Sequence, residues 1–346
     1  MQFIAEYGLF LAKVVTIVVA VLVLVGVAVA LSSRHRKAES GHLEVNSLNR
    51  KYEEMSDTLA DSLLSKEELK QKHKQEKKRR KEEQKKHKKD LKEGKTGAKK
   101  KRLFVLDFEG DIHASAVDHL REEISAILML AVPGDEIVVR LESGGGVVHG
   151  YGLAASQLQR IRDRDISLTV AVDKVAASGG YLMACVADKL VAAPFSIIGS
   201  IGVLAQIPNF NRLLKKHDVD FEQLYAGEYK RTLTLFGENT DKGREKMQQE
   251  LEEVHQLFKA FIKRQRTGLD VAKVATGEHW LGSRALELGL VDELCTSDDY
   301  LMSARETADI VEVRFVSKQS LKEKLSSLMS LRRRGSLKGI DGPLMM

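Results

Sequence analysis

The chain of 346 residues has only two cysteines, four prolines and one tryptophan. Two cysteines, Cys185 and Cys295, exclude a disulfide-rich secreted scaffold and a multi-cysteine zinc module, since at most one bridge can form. Proline is missing altogether from Ser32 to Arg102, so nothing in that stretch forces a helix to stop. Phosphate signatures are missing too. No glycine loop is followed by Lys-Ser/Thr at P-loop spacing, and none reads G-x-G-x-x-G, which disfavours nucleotide readings. None of the ten histidines, with His149, His217, His255 and His279 among those in the globular part, sits in a triad-like motif. There is no tandem repeat. The length still allows one large domain or two ordinary ones with a full core.

The net charge of +6 hides an asymmetry. Lys66 to Arg102 holds 19 basic and 7 acidic residues, leaving 36 basic and 42 acidic elsewhere. The chain is therefore a mildly acidic protein with one basic block. That block has no aromatic residue for base stacking, so nucleic-acid binding ranks behind a solvated stalk and behind contact with anionic lipid headgroups.

Val14 to Leu31 is an 18-residue run broken only by Thr16 and Gly26. As a helix it covers ~27 Å, close to the hydrocarbon thickness of a bilayer. A cleaved signal peptide is disfavoured, although Ala28-Val29-Ala30 resembles a cleavage site. The run is too long for an h-region and what precedes it is not basic. The sequence thus predicts a retained membrane helix within residues 1–31. Arg34, Arg36 and Lys37 follow at once, which predicts a cytoplasmic C-terminal side.

Four segments follow from the change in texture: an N-terminal segment with its membrane helix (1–31), a basic stalk (32–102), an α/β domain (103–300), and a C-terminal strand/helix with a basic tail (301–346). The stalk has too few large apolar residues to bury a core. Its Lys70–Lys92 stretch, rich in helix formers, predicts a solvated helix. From Leu103 the pattern becomes α/β. Strands are expected at Leu103–Phe108, Glu136–Leu141, Ser167–Val172, Leu190–Ala193, Ile201–Ala205 and Phe221–Tyr225. Helices are expected at Val117–Ala131, Val148–Ile161 and Thr240–Gln265. Strands alternating with helices of this length imply crossover connections.

Two turns can carry chemistry. Glu142-Ser143-Gly144-Gly145-Gly146-Val147 follows a strand, and its glycines can form a tight turn, bind an anion or supply oxyanion donors. Ala177-Ser178-Gly179-Gly180-Tyr181 lies between a strand and an apolar helix. Ser178 there is either a helix N-cap or a nucleophile with the Gly179 N–H beside it. A nucleophilic serine needs a base, and a lysine serves when desolvation lowers its pKa. Lys230, in Tyr225-Ala226-Gly227-Glu228-Tyr229-Lys230-Arg231, fits that role only loosely from sequence.

Together these residues resemble the S49 family of serine peptidases, the signal-peptide-peptidase-A group, and within it a membrane-anchored bacterial branch. Ser143-Gly144-Gly145-Gly146 is similar to the family's Ser-Pro-Gly-Gly turn, with Gly144 replacing proline. Ala177-Ser178-Gly179-Gly180-Tyr181 is similar to its nucleophile turn. Gly199-Ser200-Ile201-Gly202-Val203 and Gly227-Glu228-Tyr229-Lys230 are similar to two further elements. Trp280-Leu281-Gly282, Ala285 and Leu288-Gly289-Leu290-Val291-Asp292 are similar to its closing motif. The separations, 52 residues from Ser178 to Lys230 and 22 to Ser200, agree with single-domain members.

The resemblance implies a ClpP/crotonase-like fold of ββα units and a serine endopeptidase. In it Ser178 is the nucleophile, Lys230 the general base and Ser200 the residue that orients the lysine. Gly179 with Gly145 or Gly146 holds the oxyanion, and Asp173 and Lys174 are structural. No metal or nucleotide cofactor is implied. The implied substrates are peptides such as remnant signal peptides or membrane-protein fragments, paired by β-augmentation. The small side chains of Ala176 and Ala177 are compatible with an apolar pocket. A homo-oligomer sharing the dyad between protomers is implied, as is a single-pass anchor in the bacterial inner membrane. The family favours a periplasmic catalytic domain, against the flanking charge. Two rival classes stay open on sequence: a crotonase-type acyl-CoA enzyme, and a non-enzymatic membrane scaffold that binds peptides.

Overall fold

The computed structural model describes residues 11–20, 41–92 and 100–317. Residues 11–20 form helix α1, whose apolar side chains are exposed and whose Thr16 hydroxyl donates to the Ala12 carbonyl. The rest of the expected membrane helix lies outside the described residues. Among the described residues no helix is long and apolar enough to cross a membrane.

Leu43–Phe315 forms one compact unit. In chain order the elements are β1 (Gly41–Ser47), α2 (Leu48–Leu63), α3 (Lys66–Lys92), β2 (Lys101–Gly110), α4 (Val117–Leu128), β3 (Glu136–Ser143), α5 (Val148–Arg162) and β4 (Ser167–Val172). There follow β5 (Val175–Ala177), α6 (Gly179–Ala184), β6 (Lys189–Ala192), β7 (Ile197–Gly199), α7 (Asn211–Lys216), α8 (Asp241–Gln265), α9 (Val271–Val274), β8 (His279–Leu281), α10 (Gly282–Glu287), β9 (Glu293–Leu294), α11 (Ser297–Ala304) and β10 (Ala308–Ser317).

The architecture is α/β with a mixed sheet. The strand order is β1-β10-β2-β3-β4-β6-β9, and a side branch runs from β3 through β5 and β7 to β8. The β2–β3, β3–β4, β4–β6 and β3–β5 pairs are parallel, whereas β7–β8 is antiparallel. Alternate side chains of each strand point to opposite faces. Leu106 and Phe108 of β2, with Val139 and Leu141 of β3, join the main core under α4 and α5, where Leu120, Ile124, Tyr151 and Leu158 are fully buried. Leu103, Val105 and Val138 face the other way and meet Leu48, Leu301 and Ile310. Because both faces are covered, the central strands read as apolar runs rather than alternating ones.

That second cluster changes the reading of the stalk. Leu48 is 3% exposed, and the Asn49 side chain donates to the Arg305 and Ala308 carbonyls and accepts from the Ile310 N–H. Leu48 and Asn49 of the expected stalk therefore pack on the sheet, α11 straddles the expected boundary at residue 300, and β10, beyond it, is a strand of the sheet. Two strands expected from alternation are missing. Ile201–Ala205 and Phe221–Tyr225 are irregular, and Leu204, Phe221, Leu224 and Tyr225 are exposed. They lie in a lobe between β7 and α8 whose bonds are largely internal. Phe210 N–H donates to the Leu235 carbonyl, and the Asn209 and Asn211 amides donate to the Thr234, Gly237 and Phe236 carbonyls. Alternation there marks apolar side chains that the single chain leaves uncovered.

Candidate active site

The site grows from the ends of two neighbouring strands. Ser143, the last residue of β3, pairs in register with Ala176 of β5, and Ala177 pairs with Gly199 of β7. The chain beyond each pair is forced into close quarters. Ser178 N–H donates to the Gly199 carbonyl at 2.8 Å, which anchors the serine turn to β7. Ser178 itself adopts φ 51°, ψ −117°, a sparsely populated conformation for a residue with a Cβ. It is not a side-chain helix cap, because its hydroxyl makes no cap hydrogen bond. Ser178 is half-buried at the head of α6.

The glycine turn abuts this serine. Gly145 has φ +86°, and a Cβ placed on it would lie 2.7 Å from each of the Ala177 carbonyl oxygen, the Gly179 nitrogen and the Ser178 Cβ. Glycine is required there both by the backbone conformation and by the close approach. On the other side, a Cβ on Gly146 would overlap the Ile112 carbonyl, to which the Val147 N–H donates at 2.8 Å. The Gly145 N–H donates to Ser143 Oγ at 3.0 Å. Among the described residues the Gly146 and Gly179 N–H groups have no acceptor, so two backbone donors stand beside the Ser178 turn.

The other expected residues are placed as follows. Ser200 directly follows the Gly199 partner of Ala177, has φ 51° and donates its N–H to the Glu278 carbonyl at 2.7 Å. A Cβ on Gly199 would meet the Trp280 ring at 2.8 Å, so this glycine seats the tryptophan of the closing motif. Lys230 does not join the cluster within one chain. It lies exposed in the lobe after a turn in which its N–H donates to the Gly227 carbonyl at 3.1 Å, and among the described residues no bond links it to Ser178. Ala176 belongs to the main core and Ala177 is 7% exposed. Asp173 accepts from the Ser297 N–H and hydroxyl, and Lys174 pairs with Glu142 at 2.7 Å. Cys185 and Cys295 are free thiols, and burial pushes the Cys185 thiol up to about 12. The sequence did not point to Tyr151, whose hydroxyl meets Ser143 Oγ at 2.5 Å beneath the turn.

A serine at a strained strand-to-helix turn, faced by a glycine loop, therefore stands at the strand ends of an α/β protein with a mixed sheet. Residues 2–158 match the description "Peptidase family S49 N-terminal" and residues 160–311 match "Peptidase family S49". The protein in hand is similar to the "Probable protease SohB" of Haemophilus influenzae, with 54% identity over 320 residues, 92% of this chain and 90% of that one. It is similar to the protein of the same description from Buchnera aphidicola subsp. Schlechtendalia chinensis, with 50% identity over 305 residues, 88% of this chain and all of that one. Among solved structures it is similar to a 1510-N membrane-bound stomatin-specific protease in complex with a substrate peptide, with TM-score 0.41 and 15% identity, covering 67% of this chain and 98% of that one. The chain belongs to peptidase family S49 and is a protease. This sets aside the acyl-CoA and scaffold readings.

Proposed function

We propose that the protease is a serine endopeptidase with Ser178 as nucleophile and Lys230 as general base. Lys230 takes the Ser178 proton as the oxygen attacks a peptide carbonyl. The lysine then gives that proton to the leaving amine, and water resolves the acyl-enzyme. The observation that carries this reading is the packing of Gly145 against Ser178 and Gly179, with the Gly146 and Gly179 N–H groups unengaged among the described residues. These two amides are the oxyanion donors, and Gly145, whose N–H is taken by Ser143, shapes the turn. An extended peptide, such as a remnant signal peptide or a membrane-protein fragment, pairs along the glycine turn.

The exposure of Lys230 supports a dyad shared between protomers. A lysine becomes a base only once it is desolvated. A second copy supplies that burial, and the apolar lobe around Lys230 supports it: Leu224 is 95% and Leu204 76% exposed. Ser200 then orients the lysine delivered by the neighbour. The reading includes a ClpP/crotonase-like oligomer on a single-pass anchor in the bacterial inner membrane, supported by the apolar run from Val14 to Leu31.

Mixing tests the proposal. Ser178→Ala and Lys230→Ala are each expected to be inactive on an internally quenched peptide. Co-assembled from a mixture, they are expected to recover about a quarter of the wild-type rate, since a quarter of the sites then pair an intact serine with an intact lysine. Activity in either single variant refutes the dyad. Two inactive variants that assemble but never complement refute the sharing.

A further inference from the structure

The serine turn and the glycine turn serve one site only if they keep a fixed spacing. They come from different elements, and the amides they offer must converge on one oxygen atom. Tyr151 lies directly beneath both. It is fully buried on α5, with its ring edge-on to Phe108 at 6.4 Å. A Cβ on Gly179 would sit 2.4 Å from the Tyr151 ring, so the Gly179 backbone rests on that ring. At the far end of the same side chain, the phenol donates to the Asp111 carbonyl at 2.7 Å.

With the phenol proton committed to Asp111, the short contact to Ser143 has one direction. The Ser143 hydroxyl donates to Tyr151 Oη, and Ser143 Oγ accepts from the Gly145 N–H. The result is a continuous relay, from Gly145 N–H through Ser143 and Tyr151 to the Asp111 carbonyl, in which every proton has one acceptor. Gly110 leaves room for it, since a Cβ there would lie 2.5 Å from Tyr151 Oη and 2.6 Å from Ser143 Oγ. Burial also pushes the phenol above its ordinary value, which keeps the donor protonated across the working pH range.

We propose that Tyr151 is a positioning residue for peptide hydrolysis: its ring sets the height of the Gly179 amide, its hydroxyl holds the glycine turn through Ser143, and so one rigid side chain fixes the spacing of the two oxyanion donors. The proposal rests on Ser178 being the nucleophile. Its consequences differ from those of a core tyrosine that only adds stability. Donor spacing matters most when the carbonyl oxygen becomes an oxyanion, so loosening it acts on kcat rather than on KM.

Three variants of the full-length chain in detergent test this, with an internally quenched peptide as substrate and a diphenyl phosphonate as the covalent probe. Tyr151→Phe keeps the ring but removes both hydrogen bonds of the phenol, to Asp111 and from Ser143, while leaving the Gly145–Ser143 bond, so kcat is expected to fall about five- to tenfold. Ser143→Ala frees the Gly145 N–H altogether, and kcat is expected to fall about a hundredfold, the cost of a misplacement near 1 Å. KM stays within about twofold in both, and phosphonate labelling slows in step with kcat. The double variant is expected to be no worse than Ser143→Ala, because both changes break one relay. Wild-type kcat in both single variants, or losses that multiply in the double variant, overturns the proposal. So does a lower melting temperature with kcat per labelled site unchanged. Ser178→Ala run alongside separates the two levels. If it still turns over substrate, the nucleophile assignment itself falls. If it is inactive while the Tyr151 and Ser143 variants match wild type, only the positioning role falls.

Discussion

Replacing Gly145 by alanine perturbs the site at its tightest point. Two costs add. An alanine at φ +86° loses about 1–2 kcal/mol in backbone energy. The new Cβ must also clear three atoms at 2.7 Å, whereas carbon contacts are comfortable at about 3.5–4.0 Å. None of the three is the end of a flexible side chain: two are backbone atoms and one is the Ser178 Cβ. Relief therefore moves the turns apart by about 1 Å, and overpacking of this kind adds about 1–3 kcal/mol. The expected stability loss is about 2–5 kcal/mol, a fall of roughly 5–15 °C in melting temperature for a domain of this size. The same displacement separates Ser178 from the Gly146 amide proposed as an oxyanion donor, so kcat/KM is expected to fall at least about a hundredfold. The assay is peptide turnover normalised to folded protein, with Gly144→Ala as control. A Cβ at Gly144 meets nothing within 4 Å, so that variant is expected to stay within about twofold of wild type. If Gly145→Ala keeps wild-type turnover, or if both alanines are equally damaging, the reasoning about the turn is wrong.

Further outcomes follow from the same structure. Leu48→Ala, which opens a hole between α2 and the sheet, is expected to cost about 2–4 kcal/mol in a chemical melt, whereas a free stalk would show none. Burial pushes the Asp292 carboxyl up, but the bidentate Arg266 guanidinium at 2.7 and 2.9 Å and the Leu190 N–H outweigh it and hold its pKa below the usual carboxylate value. Its contribution is therefore full above the unfolded value near 3.9 and is lost as pH falls through the lower folded value. Asp292→Asn should be less stable than wild type at pH 7, and the difference should close on acidification below about pH 4 in paired thermal melts. Leu224→Asp, on the exposed lobe, is expected to shift the assembly toward monomers in light scattering and to abolish turnover while leaving the melting temperature of the domain within about 2 °C.

Local pattern made much of the fold legible. The strand Ser167–Val172 and the long helix ending at Gln265 match the sequence reading closely, because periodicity along a continuous segment encodes both. Packing that joins distant segments was not legible. Nothing around Leu48 distinguishes it from the charged residues nearby; its burial depends on β10, some 260 residues later. The missing strands in the lobe show the opposite error, since Phe221 and Tyr225 alternate as a strand should but find no neighbouring strand among the described residues. At the site, the glycines and Ser178 announced themselves as motifs. Tyr151 did not, because its importance comes from lying under Gly179, a residue 28 positions away in sequence. Lys230 was legible as a motif but not as a geometry, for within one chain it is exposed and, among the described residues, no bond links it to Ser178.

The central claim is that Ser178 carries the chemistry of this protease. The most direct test labels the assembled full-length protein with a diphenyl phosphonate and maps the adduct by peptide mass spectrometry. The account predicts one adduct, on the peptide containing Ser178, formed with loss of turnover in equal proportion and absent in Ser178→Ala. An adduct on any other serine, or complete inactivation with Ser178 unmodified, would contradict it.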